Sequence, residues 1–280
     1  MLRNKKKEAT EHRAVLVLRG AQLSDRISDT DPKKENLPVK ESVALDHSKE
    51  AERTAEILNR VLKKVHEILK EHPINKEREK SGLLPANGIL TRGAGQMPQI
   101  EKITKKLGFK ACCIASESTV LGVASLAGFD IRTDQSFTGN IDTDIYGKAT
   151  LAAEALKNND LVVLHFKATD LMGHDNNPTG KVAAIEKYDQ MIGICLEEIK
   201  KITSDNVIVA LAADHSTPCE RREHSGDPVP VLINGKNIRH DAVKHYDEIS
   251  CSQGGLGRIK GSDFINILLD YLEVVVKQGN

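Results

Sequence analysis

The sequence has no net charge to read: 40 lysines and arginines balance 40 aspartates and glutamates over 280 residues. With no global basic field, the balance argues against a dedicated nucleic-acid binder. The short basic start at 3–7 reads as a solvated tail. No apolar run approaches the length of a membrane span. Nor does an apolar stretch follow the basic N-terminus closely enough to make a signal peptide. The five cysteines form an odd set with no C-x-x-C. That speaks against a disulfide framework and for free thiols in a reducing cytoplasm. Repeats and low-complexity segments are lacking too. What remains is 39% hydrophobic and 29% charged. This is the composition of a globular chain long enough for one large domain or two modest ones.

Periodicity then divides the chain. The run AVLVL at 14–18 reads as a strand, followed by an Asp- and Pro-bearing loop over 24–38. Residues 50–70 repeat apolar side chains at helical spacing and stop at His72-Pro73. A Gly- and Pro-rich loop over 82–98 marks the boundary between an expected domain 1–90 and a second, 91–280. Beyond it, helices and strands alternate. Helices are predicted at 99–107, 145–158, 181–203 and 263–277, and strands at 110–115, 161–166, 207–212 and 229–233. Short apolar strands between helices imply an α/β fold with a mainly parallel sheet covered on both faces.

In such sheets, sites form beyond the carboxyl ends of the strands. Two strands here carry acid and imidazole to that edge. LVVLHF leads into Asp170 and His174, and VIVALAA leads into Asp214 and His215. His224 follows in EHSGDPVP, just before the next strand. Asp170 and His174 are four apart, so one helical turn puts them on one face. Gly173 beside them permits close backbone approach. Mixed carboxylate and imidazole donors suit zinc or manganese. A pair of such ions suits a phosphoryl displacement. Singly, each residue is as readily a cap or turn former; together, three Asp/His clusters at strand ends or entries point to metal.

The runs HFKATDLMGHD, AADHSTPCE, EHSGDPVP and QGGLGRIKG resemble the C-terminal half of archaeal-type 2,3-bisphosphoglycerate-independent phosphoglycerate mutases, of the alkaline phosphatase superfamily. HRAVLVLRG, DTDP, ERTAEILN, HPIN and LPANGILTRGAG resemble the same family upstream. The resemblance implies an alkaline-phosphatase-like α/β domain with a smaller inserted α/β substrate domain. It implies interconversion of 3-phosphoglycerate and 2-phosphoglycerate through a phosphoserine, in glycolysis and gluconeogenesis. It implies two divalent ions, Mn²⁺ or Zn²⁺, and no 2,3-bisphosphoglycerate requirement. One ion falls to Asp170, His174 and His224, and the other partly to Asp214 and His215. Phoshoglycerate falls to His12, Arg13, Arg19 and Arg92, with Asp29 or Asp31 as acid or base at its hydroxyl.

Two departures bear on function. The family's nucleophilic serine and a further aspartate ligand precede the inserted domain, and no residue before His12 matches them. Three explanations are expected to compete: a fragment whose missing N-terminal half lies elsewhere, one piece of a split enzyme completed by that half as a separate chain, or a degenerate relative. Leu121 stands where the family commonly has lysine. Three readings stay open: a mutase, a metal-dependent phosphatase, and a non-catalytic or split-enzyme subunit that binds metal and phosphoglycerate. The glycine-rich run at 254–261 carries no assignment of its own.

Overall fold

The computed structural model describes residues 14–203 and 207–275. His12, Arg13 and the basic start lie outside these residues, as does the end of the helix expected at 263–277. The chain divides into two compact units, Met1–Gln99 and Ile100–Asn280.

The first unit is built on helix α1 (Lys49–Lys70). Ser48 caps it, its side chain accepting from the Ala51 N–H, and Glu50 and Glu52 sit in the first turn, where the helix dipole favours acid. The face bearing Ala51, Ala55 and Leu58 is buried against Ile27, with Ala44 and Leu62 alongside. Pro73 ends α1 as expected, but it also opens α2 (Pro73–Lys80), where its missing N–H costs nothing. Buried Asn75 donates to the carbonyls of Leu69 and Ala86 and accepts from the Ala86 N–H, tying both helices to the following loop.

The AVLVL run does not form the expected strand. Val15, Leu16 and Val17 are exposed, without ladder pairing among the described residues. An apolar run becomes a strand only when a neighbour takes its backbone groups.

The second unit runs α3 (Ile103–Leu107), β1 (Ala111–Ile114), α4 (Ser118–Ala127), β2 (Asp130–Arg132), α5 (Ile145–Leu156), β3 (Leu161–Leu164), α6 (Ala168–His174), α7 (Pro178–Ile202), β4 (Val209–Ala212), β5 (Val231–Asn234), α8 (Glu248–Cys251) and α9 (Gly261–Tyr271). β1 lies between β2 and β3, parallel to both, with Cys112 opposite Asp130 on one side and Val162 on the other. The α/β class with a parallel sheet and covering helices is as expected. β4 and β5 form a separate antiparallel pair, Ala212 opposite Val231, which the sequence reading did not foresee. Only the last five residues of the helix expected at 99–107 are helical. α4, which was not expected, carries Leu121.

β1 is buried throughout, and Cys112 and Ile114 pack with Phe137, Ala152 and Ala155. The small side chains of α5 let it approach β1 and β3 closely. A second cluster joins Phe109, Ala111 and Leu269. All five cysteines are free.

Lys148 of α5 is the largest wholly enclosed side chain among the described residues, 0% exposed. Its Nζ donates to the His165 carbonyl at 3.3 Å and lies 5.7 Å from the Phe137 ring centre and 6.0 Å from that of Phe166. Burial pulls this amine down to about 8 from 10.5. Between those two values the unfolded chain holds a proton that the folded chain has released. Stability from this group therefore rises with pH from about 8 and levels off near 10.5, by a total on the order of 3 kcal/mol. Lys148→Met is expected to remove that rise. Urea unfolding of parent and variant across this pH range measures it.

Candidate metal centre

α6 begins just after β3 ends, and its single pair of turns sets Asp170 and His174 on one face. The loop after β4 brings His215, and an antiparallel bridge between Ser216 and Ser225 holds the next loop against it. His224 consequently stacks on His215, ring centres 3.7 Å apart. Two segments distant in sequence thus meet beyond the ends of β3 and β4.

Asp170 Oδ1 lies 3.4 Å from His174 Nε2 and 3.5 Å from His224 Nε2, and the two ring nitrogens are 3.2 Å apart. Tetrahedral bonds of about 2.1 Å place ligand atoms about 3.4 Å from one another. This triangle has that size. Asp170, His215 and His224 also present ligand atoms all within 4.8 Å of one another.

The surroundings prepare these groups. His174 Nδ1 lies 2.8 Å from the Arg222 carbonyl, which can only accept. The Nδ1–H is therefore donated outward, and a neutral His174 turns the lone pair of Nε2 toward Asp170 and His224. Burial works to raise the Asp170 carboxyl. It is outweighed by hydrogen bonds from Lys167 and Thr217 and by the charge of Lys167, which hold the carboxyl below the usual carboxylate value. Lys167 Nζ sits 2.5 Å from Asp170 Oδ2 and Thr217 Oγ1 2.6 Å from Oδ1. The donor set and its outer partners fit a divalent ion. Asp214 differs: its side chain is 76% exposed, with Oδ2 3.2 Å from His215 Nε2.

The residues expected to grip substrate fall in the first unit. Thr30, wholly buried, pairs with Thr91 through backbone and hydroxyl, and Lys40 N–H donates to the Thr30 carbonyl. This holds Asp29 against the segment that follows Thr91, and Asp29 Oδ1 accepts from the Gly93 N–H at 2.9 Å. Asp31 Oδ1 accepts from Lys33 N–H at 2.7 Å. Asp29, Asp31, Lys33 and Lys40 line one cleft. Arg19 and Arg92 are exposed.

Sequence reasoning missed Lys167, Thr217 and Lys181. Lys167 had a signal, since it precedes Asp170 by one helical turn. Thr217 and Lys181 had none, because their contacts exist only once the two segments converge.

A carboxylate and imidazoles gathered at the rim of an α/β sheet are the mark of a metal-dependent enzyme class. The chain belongs to the metalloenzyme superfamily, whose model matches residues 28–271. Its relatives bear a more particular name. The 2,3-bisphosphoglycerate-independent phosphoglycerate mutase of Methanococcus maripaludis is 44% identical over 98% of this chain and 66% of its own length. The protein of that name from Thermococcus kodakarensis is 46% identical over 97% of this chain and 65% of its own. The chain thus spans just under two thirds of the length of these curated relatives. Among solved structures, a Pyrococcus horikoshii protein matches with TM-score 0.76 and 43% identity, over 82% of this chain and 60% of that one. A cofactor-independent phosphoglycerate mutase from Thermoplasma acidophilum matches with TM-score 0.63 and 30% identity, over 95% and 64%. These likenesses give the chain the alkaline-phosphatase-like fold. Among the described residues, no helix is long and apolar enough to cross a membrane.

Proposed function

We propose that the chain supplies the metal centre and the substrate-gripping unit of a 2,3-bisphosphoglycerate-independent phosphoglycerate mutase. It would interconvert 3-phosphoglycerate and 2-phosphoglycerate in glycolysis and gluconeogenesis, in the cytoplasm. The observation that carries this reading is the triangle of Asp170, His174 and His224. These three would hold one Mn²⁺ or Zn²⁺ ion, and Asp214 with His215 part of a second. Such ions, when bound, neutralise phosphoryl oxygens and make a hydroxyl nucleophilic near neutral pH.

The chain's own side chains do the rest. Arg19 and Arg92, with His12 and Arg13, would pair with the phosphate and carboxylate of phosphoglycerate. Asp29, held by the Gly93 N–H, and Asp31 would move the proton at the substrate hydroxyl. The hydrogen bond that ties Asp29 to the backbone next to Arg92 favours the mutase over a simple phosphatase, which needs no second grip on the freed glycerate. The phosphoryl-carrying serine matches no residue of this chain, and we place it on the part of the relatives' length that the chain does not span.

The test is an enolase-coupled assay with Mn²⁺, on the chain alone and mixed with the complementary segment of the Thermococcus kodakarensis relative. Turnover is expected in the mixture. Turnover by the chain alone would overturn the placement of the serine. Failure of every mixture, with manganese bound, would overturn the mutase.

A further inference from the structure

Thr217 is 3% exposed and reaches both ligand segments. Its Oγ1 lies 2.6 Å from Asp170 Oδ1 and 3.2 Å from His215 Nδ1. A hydroxyl has one proton. Asp170, ion-paired with Lys167, is a carboxylate that can only accept, so the proton goes to Asp170. Oγ1 can then only accept from His215, which must carry its proton on Nδ1. A neutral His215 is left with a bare lone pair on Nε2, and that atom faces Asp214 Oδ2 at 3.2 Å. Two acceptors at that distance repel unless a cation lies between them. The Arg222 carbonyl sets His174 in the same tautomer, from the other side of the cluster.

The backbone of Thr217 is fixed as firmly as its hydroxyl. Lys181 Nζ donates to its carbonyl at 2.6 Å. That carbonyl lies so close over Gly173 that a Cβ there would stand 2.4 Å from it. Pro218 follows and restricts the chain further.

We propose that Thr217 is a positioning residue that couples the two ligand segments: it donates to Asp170, accepts from His215 Nδ1, and so turns the Nε2 of His215 toward metal. This role rests on the metal-centre reading given above. It makes the two ion positions interdependent, because one hydroxyl orients a ligand of each.

The experiment uses the full chain, Thr217→Ser and Thr217→Val, with Mn²⁺ titrated by calorimetry and imidazole tautomers read by ¹⁵N NMR before metal is added. The parent and Thr217→Ser are expected to show His215 protonated on Nδ1 and to bind Mn²⁺ within about threefold of each other. Thr217→Val is expected to lose the single tautomer and to bind roughly 10- to 100-fold more weakly. A purely structural role would lower the melting temperature without moving the tautomer. Parent His215 protonated on Nε2 overturns the proposal, even if Thr217→Val does not fold. So does unchanged Mn²⁺ affinity in a folded Thr217→Val. A parent that takes up no manganese while keeping the Nδ1–H tautomer overturns instead the metal-centre reading beneath it.

Discussion

Asp170→Asn is expected to weaken Mn²⁺ and Zn²⁺ binding by roughly a hundredfold or more. Loss of an outer partner of a metal ligand typically costs about 10- to 100-fold, and this substitution changes a ligand itself. Asn keeps the shape and one oxygen. It loses the charge that faces His174, His224 and Lys167, and it leaves Lys167 half-buried beside a neutral amide. The amide can also turn its NH₂ toward the lone pairs of the two histidines, filling the centre with protons. Equilibrium dialysis against each metal reads the effect. Parent-like affinity in Asp170→Asn would remove Asp170 from the centre.

Gly173→Ala is expected to lower stability by about 3 kcal/mol, and the melting temperature by roughly 10 °C. The helix itself argues the other way, since alanine gains about 1 kcal/mol over glycine in a helix interior. The clash is larger. The new methyl would lie 2.4 Å from the Thr217 carbonyl oxygen and 2.9 Å from its Cγ2. That oxygen cannot retreat, because Lys181 holds it and Pro218 stiffens the chain behind it. Gly193, in α7, provides the contrast. A Cβ there meets nothing within 4 Å, so Gly193→Ala should stabilise by about 0.5–1 kcal/mol. Thermal melts of the two variants should move in opposite directions. If both rise, α6 and Thr217 are not in the contact described.

Much of this arrangement is legible in the amino-acid sequence. α1, α5 and α7 follow from apolar periodicity, within a few residues at each end. The four-residue spacing of Asp170 and His174 already places both on one helical turn, where the structure has them. Other features depend on facts that no local pattern carries. VIVALAA and the run at 229–233 read as strands, but apolar strands do not announce whether a neighbour runs with them or against them. AVLVL has strand composition, yet residues 15–18 join no ladder among the described residues. Pro73 was read as a stop, although the residue that ends α1 is equally the first residue of α2. In STVLGVASLA, β-branched residues and a glycine with little polar contrast hide α4. Thr217 shows the limit most plainly. It sits in an ordinary Ser-Thr-Pro loop, and its role comes from Asp170, 47 residues earlier.

Lys148 has a last consequence. An amine enclosed by α5, Phe137 and the end of β3 never collides with a reagent in water while the unit stays closed. Acylation of Lys148 therefore requires the helix to lift from the sheet. Lysines at the surface record the concentration of the reagent; this one keeps time for the opening of the interior, in the way that a deeply protected amide does in hydrogen exchange.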